Sequence, residues 1–265
     1  RTKQSGNGNW IMTKLVYISD FFVEDVSGGA EIYDDILLKE LTNKGVKVVK
    51  LRTKEVTKKH VELYLNTGFV FLVSNFVALQ ESCKKILQIH SDKYCIIEHD
   101  HKYLSNRNPA LYKDFKAPPR HLANVDFYKA AKYVFCQSAK HSDVLSKNIS
   151  GANVINLECS IWSSNQIEIL KKYCNTSKNN KIFVMKDLNP IKSYAESVNY
   201  CIENNLKFDE FENLPYENFI KKLSEYEKFI FFPKTLESFS RVILEARMLN
   251  CGLITNKLNS CVYEK

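Results

Sequence analysis

Short apolar runs alternate with stretches of helical periodicity along most of the chain. Lys14–Ser19 opens the series as a compact run with β-branched members, typical of a parallel strand buried on both faces. A Gly28-Gly29 turn follows, and apolar residues then recur at helical spacing until Gly45 provides a stop. The first unit is therefore predicted to be strand, glycine turn and helix.

The same alternation continues to about residue 160. Further strands are predicted at 46–49, 69–73, 94–97, 133–136 and 153–157. Helices are predicted at 32–41, 77–89, 122–131 and 139–147. Strands that alternate with helices in this way predict a parallel sheet covered by helices.

A second, shorter alternation follows the polar segment 160–178, where we place the domain junction. Its strands are predicted at 181–185, 229–232 and 252–255, with 206–208 as a weaker candidate. Its helices are predicted at 193–203, 216–226 and 238–249. We expect a tag or disordered leader at 1–12, an N-terminal domain at 13–160 and a C-terminal domain at 161–265. Open α/β sheets bind ligands at the carboxyl ends of their strands, so the pattern predicts a cleft between the two domains.

Composition argues against a membrane-spanning protein, a dedicated nucleic-acid-binding protein and a disulfide-rich protein. The hydrophobic and charged fractions, 45% and 26%, are ordinary for a globular protein, and no run approaches the roughly 20 apolar residues of a membrane span. The net charge of +8 is spread along the chain, which favours a solvated lysine-rich surface over a nucleic-acid face, and favours acidic ligands. Eight cysteines without a Cys-x-x-Cys pair indicate reduced thiols in a cytoplasmic protein.

Two polar elements follow predicted strands in the N-terminal half. Gly28-Gly29 would let backbone N–H groups approach a phosphate, although a simple tight turn explains the pair equally well. The dinucleotide and phosphate-loop fingerprints are missing, which argues against a dehydrogenase or an NTPase. His99, in Glu98-His99-Asp100-His101, is a candidate for contact with a substrate hydroxyl, with a purely structural role as the alternative. A metal site there lacks an identifiable third ligand, so no metal is expected.

The C-terminal half carries two pairs of charged residues. Lys186 and Lys192 flank the turn after the 181–185 strand and could neutralise a leaving diphosphate, the alternative being a solvated lysine pair. Glu237 lies where a helix is predicted to begin, and Glu245 lies about two turns along it. The N–H groups at a helix start can bind a phosphate, and the deeper carboxylate can accept hydrogen bonds from sugar hydroxyls. The alternative is an ordinary amphipathic helix with no binding role.

The stretch around these glutamates resembles the Glu-x7-Glu signature of retaining glycosyltransferases with the GT-B fold, of the group-1 or family-four type. The residues that carry the resemblance are Pro233-x-x-x-Glu237-Ser238-Phe239-Ser240-Arg241-Val242-x-Leu244-Glu245-Ala246 and Gly252-Leu253-Ile254. The glycine turn and the two lysines are similar to further elements of that family. The resemblance implies an α/β, GT-B-like chain of two Rossmann-like domains, whose parallel sheets face an interdomain cleft and whose C-terminal domain is reduced.

The resemblance also implies an activity and roles for individual residues. The implied activity is retaining transfer of a sugar from a UDP- or GDP-sugar, without cofactor or metal. Glu237 would bind the hydroxyls of the donor sugar, and Glu245 those of the ribose. Lys186 and Lys192 would stabilise the leaving diphosphate, and His99 would lie near the reacting sugar. The remaining donor-binding residues implied are Gly28, Gly29, Ser238, Phe239 and Ser240.

The acceptor is not implied. A glycan or a lipid-linked acceptor is expected, the latter with peripheral contact to a membrane. One alternative is a non-catalytic protein that binds a nucleotide sugar. The other is a GT-B enzyme that glycosylates DNA, which the positive net charge suggests.

Overall fold

The computed structural model describes residues 13–26, 28–187, 189–212 and 214–263, so the predicted leader at 1–12 lies outside the described residues. The strands are β1 Lys14–Ser19, β2 Lys47–Arg52, β3 Val70–Val73, β4 Tyr94–Ile97, β5 Val134–Cys136, β6 Val154–Asn156, β7 Asn179–Met185, β8 Phe208–Phe211, β9 Tyr226–Phe231 and β10 Gly252–Thr255. The α-helices are α1 Gly29–Asn43, α2 Lys58–Asn66, α3 Glu81–Ile89, α4 Val125–Ala130, α5 Ala139–Asn148, α6 Ser164–Tyr173, α7 Tyr194–Glu203, α8 Tyr216–Ser224 and α9 Arg241–Met248.

These strands form two sheets in which neighbouring strands are parallel. The first has six strands in the order β2-β1-β3-β4-β5-β6, and the second has four in the order β10-β9-β7-β8. The predicted α/β class and the smaller second sheet are confirmed. The predicted junction falls in the connection between β6 and α6, and the exact domain boundary stays a prediction.

Each sheet carries apolar side chains on both faces, because successive residues of a strand point to opposite sides. In the first sheet, Val16 and Ile18 belong to one buried cluster and Leu15 and Tyr17 to another. The second sheet shows the same alternation along β7, where Phe183 lies in one cluster and its neighbours in another. Both sheets therefore have helices packed on two sides, which leaves their strand ends free to form a site.

Three predicted helices begin later than expected, for local reasons. The helix predicted at 77–89 begins at Glu81, because the backbone N–H groups of Val77 and Ala78 donate to the carboxylate of Asp20 at 2.8 and 3.0 Å. The helix predicted at 122–131 begins at Val125, after Asn124 in the left-handed region at φ 53°. The helix predicted at 238–249 begins at Arg241, since the backbone of its N-cap residue Ser240 is extended at φ −74° and ψ 101°.

Two other elements differ from expectation. The weak strand predicted at 206–208 is present but runs over Phe208–Phe211. Helix α2 was not predicted, although its N-terminus carries a capping box in which Thr57 and His60 bond reciprocally. Its single fully buried apolar position, Val61, gives only a weak amphipathic signal.

Candidate active site

A cavity of about 470 Å³ lies between the two sheets, at the carboxyl ends of their strands. Its N-terminal wall comes from the start of α1 and from the residues after β4 and β5. Its C-terminal wall comes from the residues after β7 and β9. This is where parallel α/β sheets present loops and helix starts to a ligand.

Lys192 and Glu237 form the centre of the C-terminal wall. Lys192 ends the short 3₁₀ turn Pro190–Lys192 after β7, and its Nζ lies 2.8 Å from Oε1 of Glu237. The two side chains are 30% and 15% exposed, so both face the cavity while being partly shielded from water. A partly desolvated ammonium group in such a position can stabilise a negative charge that develops in the cleft.

The start of α9 lies beside this pair. Ser238, Phe239 and Arg241 line the cavity, whereas Ser240, the N-cap residue, is buried. The side chain of Ser240 makes no capping hydrogen bond to the helix. The first turn of α9 therefore adds partial positive charge close to Lys192.

Glu245 lies behind the wall and does not line the cavity. Its Oε1 accepts hydrogen bonds from Nε1 of Trp162 at 2.8 Å and from the hydroxyl of Tyr216 at 3.1 Å. Arg241 contacts the same oxygen at 3.7 Å and stacks its guanidinium 4.7 Å from the centre of the Trp162 ring. Burial raises the pKa of Glu245, while Arg241, Trp162 and Tyr216 oppose that rise.

Lys186 is separated from Lys192. It follows β7 directly, and its Nζ pairs with Glu212 at 3.3 Å rather than with a residue of the cavity wall. The structure thus brings one of the two predicted lysines together with Glu237. The predicted phosphate-binding role of Lys186 stays a prediction.

His99 lies in the N-terminal wall with partners at both ring nitrogens. Its Nε2 is 3.1 Å from Oδ1 of Asp34, and its Nδ1 is 3.3 Å from Oε1 of Gln137. Burial alone would lower the pKa of His99, but the hydrogen bond and charge of Asp34 outweigh burial and raise the pKa above its usual value. Two acceptors around one ring favour the doubly protonated, cationic imidazole.

The predicted glycine turn lies on the same wall. Gly28 is the N-cap of α1, and Gly29 begins the helix and lines the cavity. A Cβ at Gly28 would lie 2.4 Å from Oε2 of Glu31, so the absence of a side chain leaves room for that carboxylate at the cavity edge. Burial raises the pKa of Glu31.

A buried ionic network contacts the residues of the N-terminal wall on the side away from the cavity. Glu98 accepts from Nζ of Lys102 at 3.1 Å, from the backbone N–H of Asp100 at 2.9 Å, and from the hydroxyl of Tyr128. Nζ of Lys102 also donates to the side chain of Asn75 at 3.1 Å. Because every charge here has several partners, the network is compensated although it is almost fully buried.

Sequence reasoning missed several residues of this wall. Asp34 and Glu31 lie one turn apart on α1, and that i, i+3 spacing after a glycine turn was an available signal. Gln137 is the first residue after β5, and His99 is the second residue after β4, so proximity to a strand end was an available signal for both. No local signal pointed to Trp162 or Tyr216 as partners of Glu245, because they are distant from it in sequence.

Two findings concern membranes and metals. Within the described parts of the chain, no helix has the length and hydropathy needed to cross a bilayer. Across the same residues, no group of three or more His, Cys, Asp or Glu side chains is arranged to hold a metal ion.

The two facing parallel sheets and the cavity between their strand ends define the GT-B class of fold. Among similar solved structures is an α,α-trehalose-phosphate synthase (UDP-forming) from Burkholderia vietnamiensis, with a TM-score of 0.56 at 8% identity, covering 95% of this chain and 84% of that one. Another is HepE from Anabaena in complex with UDP and glucose, with a TM-score of 0.53 at 12% identity, covering 94% and 82%. A third is an α-glucosyltransferase in complex with UDP and DNA, with a TM-score of 0.51 at 13% identity, covering 91% and 78%. At these identities the similarity shows the fold. No family model and no curated protein matches the sequence.

Proposed function

We propose that this protein is a glycosyltransferase that moves a sugar from a nucleotide sugar to an acceptor in the cleft between the two sheets. The observation that carries the proposal is the Lys192–Glu237 pair at the start of α9 in a GT-B cleft. Solved structures of the same fold contain UDP, with or without glucose, which supports a UDP-sugar as the donor. The free thiols of all eight cysteines agree with the proposed cytoplasmic location.

The C-terminal wall is proposed to bind the donor. Lys192 and the N–H groups at the start of α9 face the diphosphate and lower the cost of its growing charge during departure. Glu237, which Lys192 holds at 2.8 Å, accepts hydrogen bonds from the sugar hydroxyls. Ser238 and Phe239 complete this surface. The proposal includes no metal, since the lysine and the helix start supply positive charge.

Glu245 is proposed to bind the ribose, and this role requires a local rearrangement. Its Oε1 already accepts from Trp162 and Tyr216, and the carboxylate is behind the cavity wall. A ribose hydroxyl reaches it when the Trp162 indole moves aside. Nucleotide binding is therefore expected to change the fluorescence of Trp162.

The proposed transfer retains the anomeric configuration through a front-face displacement. The acceptor oxygen bonds to the anomeric carbon while the bond from that carbon to the β-phosphate oxygen breaks with its electron pair. The acceptor proton passes to the same phosphate oxygen. The imidazole of His99, held by Asp34, lies on the opposite wall and contacts the sugar that is transferred.

The proposal is tested with a panel of nucleotide sugars. A donor that binds the folded protein raises its melting temperature, which identifies the base and sugar before an acceptor is known. Release of nucleoside diphosphate and the coupling constant of the product's anomeric proton then report transfer and its stereochemistry. The proposal predicts that Glu237→Gln abolishes release while the melting temperature stays near that of the wild type. Absence of both binding and release for every donor would reject it.

A basic rim on the acceptor side favours a second candidate, a DNA acceptor. Asn106, Arg107, Asn108 and Leu111 line the cavity. The exposed basic residues in 105–120 outnumber the single acidic residue Asp114: they are Arg107, Lys113, Lys116 and Arg120. A salt-dependent affinity for DNA that Arg107→Ala weakens would support this candidate, and lack of DNA binding at low ionic strength would remove it.

A further inference from the structure

The segment 234–238, which carries Glu237, is held between the two halves of the molecule. We propose that His101 is a positioning residue that fixes Glu237 through the backbone carbonyl of Leu236. The inference rests on the proposed function for the role of Glu237, whereas the contact itself is independent of it.

Three side chains of the N-terminal half donate to alternate carbonyl groups of this segment. Nδ2 of Asn108 donates to the carbonyl oxygen of Lys234 at 3.1 Å, Nε2 of His101 donates to that of Leu236 at 2.7 Å, and Oγ of Ser138 donates to that of Ser238 at 2.8 Å. These bonds attach the segment to the N-terminal half at three alternate residues, and Oγ of Ser260 in the C-terminal half also lies 2.7 Å from the carbonyl oxygen of Ser238.

The C-terminal half binds the same segment. The backbone N–H of Lys234 donates to the carbonyl of Ile191, and that of Glu237 donates to the carbonyl of Leu258, both at 2.8 Å. Oγ of Ser260 donates to the carbonyl of Glu237 at 2.5 Å. Both halves of the molecule therefore define where the Glu237 backbone lies.

Leu236 makes the attachment to the N-terminal half apolar as well as polar. Its side chain is 1% exposed and belongs to the buried cluster of the six-stranded sheet, although the residue follows β9 of the other sheet. Burying such a side chain contributes roughly 2 kcal/mol, but it does not fix the orientation of the adjacent peptide. Directional hydrogen bonds do that: His101 donates to the carbonyl of this peptide, and the carbonyl of Leu258 accepts from its N–H.

The chemistry of the partners assigns the proton on His101. A carbonyl oxygen can only accept, so Nε2 carries hydrogen, and Nδ1 accepts from the hydroxyl of Tyr103 at 2.8 Å. The ring of His141 packs nearly perpendicular to that of His101, with 5.0 Å between the ring centres. Burial lowers the pKa of both histidines, which keeps them neutral. His101 thus orients the segment without adding charge beside the Lys192–Glu237 pair.

His101 is the strongest of the three donors. Its bond is the shortest, and the residue is 1% exposed, so water competes poorly for the carbonyl. Asn108 is partly exposed. Ser138 is also the N-cap of α5, where its Oγ accepts a hydrogen bond from the backbone N–H of His141. Moreover, Leu236 directly precedes Glu237, so a shift of its carbonyl turns the next carboxylate away from the donor sugar.

The test compares His101→Phe with His101→Gln. Phenylalanine keeps a ring of similar size but cannot donate, whereas glutamine retains an N–H donor of about the same reach. His90→Phe, at an exposed position after α3, is the matched control for the substitution itself. Melting temperatures of the four proteins establish that each is folded.

His101→Phe is expected to lower kcat about 100-fold, the effect of a misplacement of about 1 Å, while the KM for the donor changes less than about threefold. His101→Gln is expected to recover most of the lost kcat, and His90→Phe to match the wild type. Without any substrate, hydrogen exchange of the amides at 235–238 is expected to be faster in His101→Phe than in the wild type or His101→Gln.

Two results would overturn the inference. One is unchanged amide exchange at 235–238 in His101→Phe. The other is an equal loss of kcat in His101→Gln and His101→Phe, which would assign the effect to ring packing instead of donation. A wild-type protein that transfers no sugar would reject the proposed function, and the exchange measurement would still decide the positioning role.

Discussion

The two walls of the cleft use charge in opposite ways. On the N-terminal wall, Glu98 and Lys102 are 0% and 2% exposed and satisfy one another and their neighbours. On the C-terminal wall, Lys192 and Glu237 are 30% and 15% exposed and face the cavity. Buried charges that pair with one another fix the positions of the elements that carry them. Charges that face a cavity remain available to bind a ligand. The comparison therefore supports the proposal that the C-terminal wall binds the donor while the N-terminal wall is held in a fixed shape.

The largest effect on stability is expected from the N-terminal wall. Lys102→Met leaves the Glu98 carboxylate buried without its cation, which should lower the free energy of unfolding by about 3–5 kcal/mol. Denaturant unfolding measures this loss. The double variant Glu98→Gln/Lys102→Met should recover a large part of it, and Lys171→Met, in an exposed pair, should change little. Equal stability of Lys102→Met and the wild type would show that the network is not what holds this wall.

The largest effect on activity is expected from the C-terminal wall. Lys192→Ala should lower kcat/KM by about 10²–10³, since it removes the positive charge that is proposed to face the leaving diphosphate. Lys186→Ala should have a much smaller effect, because Lys186 pairs with Glu212 away from the cavity. Steady-state release of nucleoside diphosphate compares the two variants. Similar losses in both would mean that the predicted lysine pair acts together in the bound state.

A smaller, pH-dependent effect distinguishes two histidines of the N-terminal half. Burial lowers the pKa of His141 well below 6.5, and its ring nitrogens have no hydrogen-bond partner among the described residues. Below pH 6.5 the unfolded chain therefore binds a proton at His141 that the folded protein does not, so stability falls as pH falls, by up to about 1.4 kcal/mol per pH unit. His141→Phe should remove this part of the acid sensitivity, as measured by unfolding between pH 5 and 7.

His99 should show the opposite sign. Its pKa is raised in the folded protein, so its contribution to stability is fully present below about pH 6.5 and is lost as pH rises through the folded value. The difference in unfolding free energy between the wild type and His99→Gln should therefore shrink from pH 6 to pH 8. A difference that grows over this range would contradict the ion pair with Asp34.

The smallest effect is expected at the contact between Asn108 and the Glu237 segment. Asn108→Ala removes a partly exposed hydrogen bond to the carbonyl of Lys234, which should cost about 1 kcal/mol or less. Unfolding measurements give that value. A loss comparable to that of Lys102→Met would mean that this single contact between the halves contributes as much stability as the buried network of the N-terminal wall.

The sequence predicted most of the strands and their succession along the chain, and it singled out Lys192 and Glu237, which the fold brings together. Buried parallel strands give continuous apolar runs, and these are visible without any tertiary information. The proximity of Lys192 and Glu237 was also foreseeable, because both follow strands whose carboxyl ends meet at one edge of a sheet.

Tertiary contacts decided what the sequence could not. Nothing in the sequence distinguishes Lys102 from the exposed lysines. In the fold, Glu98, Asn75 and aromatic side chains enclose it. The bond from His101 to Leu236 spans 135 residues of sequence, and no local pattern encodes such a pairing. Helix starts were misplaced for the same reason, as where Asp20 binds the N–H groups of Val77 and Ala78.

The central claim, that the C-terminal wall binds a nucleotide sugar, is tested most directly by hydrogen exchange with and without the donor. A donor that raises the melting temperature should slow exchange in the turn that ends at Lys192, residues 189–192, and at 235–241. Protection at both segments is the predicted result. Absence of protection there at saturating concentrations of UDP-, GDP- and ADP-sugars, or protection confined to 98–101 on the opposite wall, would contradict it.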